Sequence, residues 1–175
     1  VVLSVHAEGA QVYECKAGAD GKLGWAFREP IATLLAEGKT IGRHYAGPSW
    51  EHSDGSAVVG KAVGNAPGAN TSDIPWLKLE VASRRGSGIL SDVTTVQRIN
   101  TVGGKLDGAC DKAGTFKSAP YSADYVFCAR ARPPATTVIP GWSVSTRPGI
   151  SRFRVRCGAC HRAGQQAGPV GIAPE

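Results

Sequence analysis

Short apolar alternations run through the first three quarters of the chain. They are interrupted by Gly, Asp, Asn or Pro about every 8–12 residues, the spacing of strands in a sandwich or barrel. Residues 11–16 set Val12 and Glu14 against Tyr13 and Cys15. Residues 23–28 put Trp25 and Phe27 on one face. Residues 33–35 and 40–45 flank Glu37-Gly38-Lys39 and predict a hairpin. Ser53-Asp54-Gly55-Ser56 is a turn signal, and a strand over 57–63 follows it. Residues 74–83 alternate Leu77, Leu79 and Val81 against Trp76, Lys78 and Glu80. Residues 93–100 are rich in β-branched side chains, and Gly103-Gly104 ends them. Residues 123–128 put Tyr125 and Phe127 on one face. A period of two sends successive side chains to opposite faces of a strand. No segment sustains a 3.6-residue period over three turns, and there is no internal repeat. The expected fold is all-β, an antiparallel sandwich or barrel of about 8–10 short strands.

Charge changes this picture at one place. Residues 1–128 hold 13 Lys+Arg against 13 Asp+Glu, whereas residues 129–175 hold seven Arg and a single acid, Glu175. The whole formal charge of +6 therefore sits in the last quarter. This predicts a neutral β domain over 1–128 and an Arg/Pro/Gly-rich extension over 129–175. That extension reads as an irregular basic tail, disordered or produced by a frame shift in a GC-rich gene. Arg152, Arg154 and Arg156 alternate with Phe153 and Val155, a basic edge that could attract acidic surfaces. No recognised nucleic-acid motif accompanies it, so nucleic acid is not an expected partner. No stretch approaches the roughly 20 apolar residues of a membrane helix. The sequence has no Met, and the expectation is a mature form without its signal peptide.

The cysteines are Cys15, Cys110, Cys128, Cys157 and Cys160. A Cys15–Cys110 disulfide would close a loop of about 95 residues and contribute roughly 4–5 kcal/mol. The alternative is two buried thiols. Cys157-Gly158-Ala159-Cys160-His161 has the spacing of covalent haem attachment. No Met is present to serve as a second axial ligand. Cys128, Cys157, Cys160 and His161 also have the ligand types of a zinc site, with only one close Cys pair. No cofactor is expected, with Zn or Cu as the alternative and haem as a remote one.

Several runs carry a family resemblance. They are Gln11–Cys15, His44-Tyr45-Ala46-Gly47-Pro48-Ser49-Trp50-Glu51 with Asp54-Gly55-Ser56, Ile74-Pro75-Trp76-Leu77, 96–104 and Ala123-Asp124-Tyr125. Together, in collinear order over residues 8–127, the chain resembles the family catalogued as domain of unknown function 3455. The resemblance implies an exported bacterial or fungal protein without an established activity. Some fungal members are labelled malate dehydrogenases, but no Gly-x-Gly-x-x-Gly turn between strand and helix supports that here. Members usually finish near an aromatic after the last strand; this chain continues through Cys128 into the basic extension.

The densest chemistry is His44, Tyr45, Trp50, Glu51, His52 and Asp54. His44, Glu51, His52 and Asp54 are candidate Zn or Cu ligands or an acid/base set. Asp54 in an Asp-Gly turn has the alternative role of holding backbone N–H groups. Gln97, Arg98 and Asn100 form a second polar cluster. Alternation puts Gln97 with Ile99 on one face and Arg98 with Asn100 on the other. Arg98 could clamp an anion, or pair with Glu51 or Asp124. Trp25, Trp50 and Trp76 could stack on sugar rings or fill the core. The leading functional expectation is a secreted, periplasmic or cell-surface protein that binds a small molecule or saccharide near His44, Tyr45, Trp50, Glu51, Asp54, Gln97, Arg98 and Asn100. The alternatives are a metal-dependent enzyme and a c-type haem protein.

Overall fold

The computed structural model describes residues 1–130. Within them eight strands follow one another: β1 (Leu3–Ala17), β2 (Leu23–Ala36), β3 (Lys39–Tyr45), β4 (Ser49–His52), β5 (Ala57–Ala66), β6 (Trp76–Arg85), β7 (Val93–Gly103) and β8 (Phe116–Ala129). Each pairs antiparallel with its neighbour in sequence, and β1 also pairs with β8, so the sheet closes into a barrel. The all-β expectation holds, and of sandwich and barrel the chain forms the barrel. The strands are not uniformly short. β1 spans 15 residues, and β2 and β8 span 14 each. A strand that must bond both neighbours while tilted around a barrel gains from length.

Turn chemistry fixes the local geometry. Glu37 (φ 51°) and Gly38 (φ 73°) are both left-handed, as a two-residue hairpin with the right-handed strand twist requires. In β1, Val5, Ala7, Gln11, Tyr13 and Cys15 are buried, while Ser4, His6 and Glu8 face solvent. In β8, Tyr121, Ala123, Tyr125 and Phe127 point inward. Small residues on some strands make room for large ones on others. Ala7 pairs with Ala123 and Gly9 with Ala32, while Trp50, Tyr125, Phe127, Leu34 and Leu79 are the largest fully buried side chains. A Cβ on Gly9 would collide with the backbone of Ile31 and Ala32.

Connections at both ends of the barrel are tied to neighbouring segments. At one end residues 67–75 fold back on β7: Asp73 Oδ1 accepts the Gly103 N–H at 2.7 Å, and Thr101 Oγ1 donates to the Ile74 carbonyl at 2.6 Å. At the other, Leu90 is 1% exposed, and its N–H donates to Ser56 Oγ at 3.2 Å. Consecutive antiparallel connections necessarily lie at opposite ends. Cys15 and Cys110 form the expected disulfide, joining the end of β1 to the β7–β8 connection with Cα atoms 5.9 Å apart. A disulfide is compatible with an oxidising, extracellular setting. Among the described residues no helix is long and apolar enough to cross a membrane.

Candidate functional site

Glu51 stands at the centre of an outward-facing polar row. Register places Glu8 of β1 opposite Thr33 of β2, Thr33 opposite Arg43 of β3, and Arg43 opposite Glu51 of β4. Glu51 is followed across the sheet by Ala57 and then Arg85 of β6. Ala57 is too short to intervene, so the longer Arg85 side chain reaches over it. Arg43 Nη2 donates to both Glu51 oxygens at 3.1 Å, Arg85 Nη2 to Oε2 at 2.8 Å, and the Tyr45 hydroxyl to Oε2 at 3.0 Å. These donors, Arg43 first and then Tyr45, hold the Glu51 carboxyl below its usual range, and Arg85 is stabilised as the cation in return. The row borders an open depression of about 760 Å³, to which Glu29 and Ile31 also contribute. Both guanidinium side chains remain about two-thirds exposed (67% and 66%).

His44 goes the other way. It is 2% exposed and lies inside the barrel, its ring stacked on Trp50 at 4.6 Å between centroids and 8° between planes. Nδ1 lies 2.8 Å from the Ser49 carbonyl, which can only accept, so Nδ1 carries the proton of the neutral ring. Burial pushes its pKa down to about 4; the Ser49 carbonyl opposes this and the Arg98 charge adds to it. The folded value is below the unfolded one of about 6.5, so the unfolded chain takes up the proton first. Stability should therefore fall as pH drops from about 6.5 towards 4, by on the order of 3 kcal/mol in all. Urea unfolding of the protein and of His44→Phe at intervals from pH 7 to 4 checks this. An equally steep loss in both chains would assign the effect to other groups.

The four expected metal ligands do not come together. His44 pairs across the strands with Trp50, and Arg43 with Glu51, so His44 and Glu51 stand on opposite faces of the sheet. Asp54 is the hub of a turn. Its Oδ1 accepts from the Ser56 N–H at 2.9 Å and the Ser56 hydroxyl at 2.6 Å, and its Oδ2 from the Ile89 N–H at 2.8 Å. These donors, the Ser56 hydroxyl first, keep its carboxyl far below the usual range. His52 Nδ1 sits 3.1 Å from Asp54 Oδ2, within the same turn. Among the described residues no group of three His, Cys, Asp or Glu side chains converges as metal ligands would.

The second cluster is also divided. Arg98 shares the inward face of β7 with Val96, and its cross-strand partners are Leu77 and the buried Tyr125. It pairs with neither Glu51 nor Asp124; Nε and Nη2 donate to the Pro75 carbonyl at 3.1 and 2.8 Å. Gln97 lies on the opposite face, across from Lys78 and Val126. Asn100 is not on the Arg98 face as alternation predicts. The β7–β8 register shifts between Ile99 and Val102, and Asn100 adopts φ 51°. Its Nδ2 reaches Asp124 Oδ2 at 2.8 Å, while Asp124 Oδ1 meets His6 Nδ1 at 2.8 Å. A bulge of this kind resets which face a side chain takes.

The family model described as "Protein of unknown function (DUF3455)" matches residues 1–129. The chain belongs to the DUF3455 family. No curated protein and no solved structure matches the chain. In this DUF3455 barrel the segments that carry the resemblance supply both faces of one wall: His44 and Trp50 inside, Tyr45 and Glu51 outside. Trp50 belongs to the core rather than to a sugar-stacking surface, at 1% exposed. Trp25 is half-buried, with Lys117 Nζ 5.9 Å from its ring centroid. Trp76 is half-buried, and its Nε1 finds no hydrogen-bond partner among the described residues. The haem and zinc expectations on Cys157, Cys160 and His161, and the basic edge at Arg152, Arg154 and Arg156, lie outside the described residues.

Residue-level reading missed Arg43 and Arg85, the partners of Glu51, and Gln11 and Tyr121 in the interior. Gln11 had a signal: it shares parity with Tyr13 and Cys15, so a polar amide stands on a face of core residues. Arg43 and Arg85 had none, because only cross-strand register brings them to Glu51.

Proposed function

We propose that this DUF3455 protein acts outside the cell as a binding protein for a small polar molecule or saccharide, held in the outer depression beside Glu51. The observation that carries the reading is the fixed carboxylate–guanidinium group. Glu51 is locked in place by Arg43, Arg85 and Tyr45. Each guanidinium offers five N–H donors, and Glu51 engages only part of that set. A group already held in place loses little freedom when a ligand arrives, which is the condition for useful affinity from few contacts. Across the depression Glu8 and Glu29 supply acceptors, and the exposed Ile31 (57%) supplies an apolar surface for C–H faces. A volume near 760 Å³ lies within the range of small-ligand sites. The disulfide supports an extracellular setting.

Isothermal calorimetry against soluble mono- and oligosaccharides and small polar metabolites tests this. A ligand should appear whose affinity falls roughly tenfold or more in Arg43→Ala, each lost charge-assisted contact being worth about 1.5–3 kcal/mol. Lys112→Ala lies outside the depression and should bind as the unaltered protein does. Heats unchanged by Arg43→Ala and Glu51→Gln, or no heat with any compound, would remove the depression as the site.

A further inference from the structure

The outer depression is divided by charge. Arg43 and Arg85 stand on one side with Glu51 between them, and Glu8 and Glu29 stand on the other. Glu8, Thr33 and Arg43 form one cross-strand row, so the backbones of Glu8 and Arg43 are two strand spacings apart, about 10 Å. Arg43 turns away from Glu8 to reach Glu51 on β4, and the two charges do not neutralise each other. The Glu8 side chain is 66% exposed. Among the described residues its charged neighbour is His6, whose Nε2 stands 3.7 Å from Oε1, too far for a hydrogen bond. Glu29 gives Oε1 to the neighbouring Arg28 at 3.2 Å, and its Oε2 takes no hydrogen bond among the described residues. Between the two sides, Ile31 shares the outer face of β2 with Glu29 and Thr33.

This pattern selects among charged ligands. A simple anion drawn to the guanidinium groups meets a lining with one acid in excess, and a simple cation drawn to Glu8 meets both arginines. A molecule with both charges, held apart by an apolar spacer, suits both sides. An α-amino acid carries its ammonium and carboxylate on one carbon, too close together to reach across. We propose that the depression takes an ω-amino acid, a zwitterion whose two charges are separated by an alkyl chain. Its carboxylate meets the exposed N–H groups of Arg43 and Arg85, its methylenes lie over Ile31, and its ammonium lies on the side of Glu8 and Glu29. The inference rests on the depression being a ligand site and names the class of ligand it takes.

Calorimetry of the whole chain with ε-aminocaproate, caproate and hexylamine at equal, low ionic strength tests the class. ε-Aminocaproate should bind about tenfold or more tighter than either compound with a single charge, since each of those lacks one charge-assisted contact. Combining Glu8→Gln with Glu29→Gln should weaken ε-aminocaproate by a similar factor and should not weaken caproate. Arg43→Ala should weaken both carboxylates and should not weaken hexylamine. Equal affinity for ε-aminocaproate and caproate would overturn the proposal, as would ε-aminocaproate binding that survives the paired Glu→Gln changes. A neutral saccharide whose binding depends on Arg43, with no heat from ε-aminocaproate, would overturn the zwitterion and leave the depression as the site. No heat from any compound would remove both.

Discussion

Replacing Cys15 and Cys110 together with Ser is expected to lower the stability of the barrel by about 4–5 kcal/mol. The bridge spans 95 residues of sequence, so it encloses most of the barrel-forming chain. Its absence frees the unfolded ensemble far more than it disturbs the folded one. Domains of this size have only about 5–15 kcal/mol in total, so the reduced protein should be marginal. In the folded state the bridge end is also held by backbone bonds. Gly114 N–H donates to the Cys15 carbonyl at 2.9 Å, and Cys15 N–H to the Thr115 carbonyl at 2.9 Å. Those bonds should persist in the double variant at room temperature, and the circular dichroism of the sheet with them. Urea unfolding of the Ser/Ser protein, compared with the oxidised parent, measures the loss. A difference under about 1 kcal/mol would mean that the unfolded chain is already compact across this loop.

Trp50→Ala is the second large effect, about 3–5 kcal/mol. The indole is 1% exposed and packs against three aromatic rings: His44 at 4.6 Å, Tyr125 at 5.3 Å and Phe127 at 6.1 Å between centroids. Gly60 accommodates it from the neighbouring strand, where a Cβ would come within 3.0 Å of the indole ring. Closed strands cannot slide inward to fill the void, so most of it should remain as a cavity. Trp50→Phe separates packing from polarity. Trp50 Nε1 has no hydrogen-bond partner among the described residues, so losing it leaves no acceptor there unsatisfied. The Phe variant should therefore cost only about 1–2 kcal/mol. Equal losses in the two variants, read from urea midpoints, would show instead that the N–H contributes as much as the ring volume.

Much of the site was legible in part. Tyr45 and Glu51 were singled out together and do share the outer face with Arg43 and Arg85. His44 and Trp50 were singled out with them and belong to the interior. The run 44–51 passes from β3 through a turn into β4, and residue type alone does not say which parity faces the core. Asp54 was given a ligand or acid/base role from its cluster and a turn role from its Asp-Gly context, and the structure realises the turn role, extending it to the Ile89 amide 35 residues away. Arg98 was expected to meet an acid and instead meets a carbonyl. Its neighbours are chosen by β6 and β8, not by β7.

From the sequence alone came the period of two, the turn positions at Glu37-Gly38 and Asp54-Gly55, the candidate pair Cys15 and Cys110 and the break in composition after Cys128. These are local or compositional properties, readable from backbone sterics, side-chain alternation and counting. Tertiary structure alone decided closure into a barrel, the outward turn of Asn100, and the row that gathers Arg43, Glu51 and Arg85 on one face. Alternation fixes only which residues of a strand lie together. Which of the two faces is inside, and what stands beside it, follows from hydrogen-bond register between strands distant in sequence. A single bulge, as between Ile99 and Val102, is enough to change the answer.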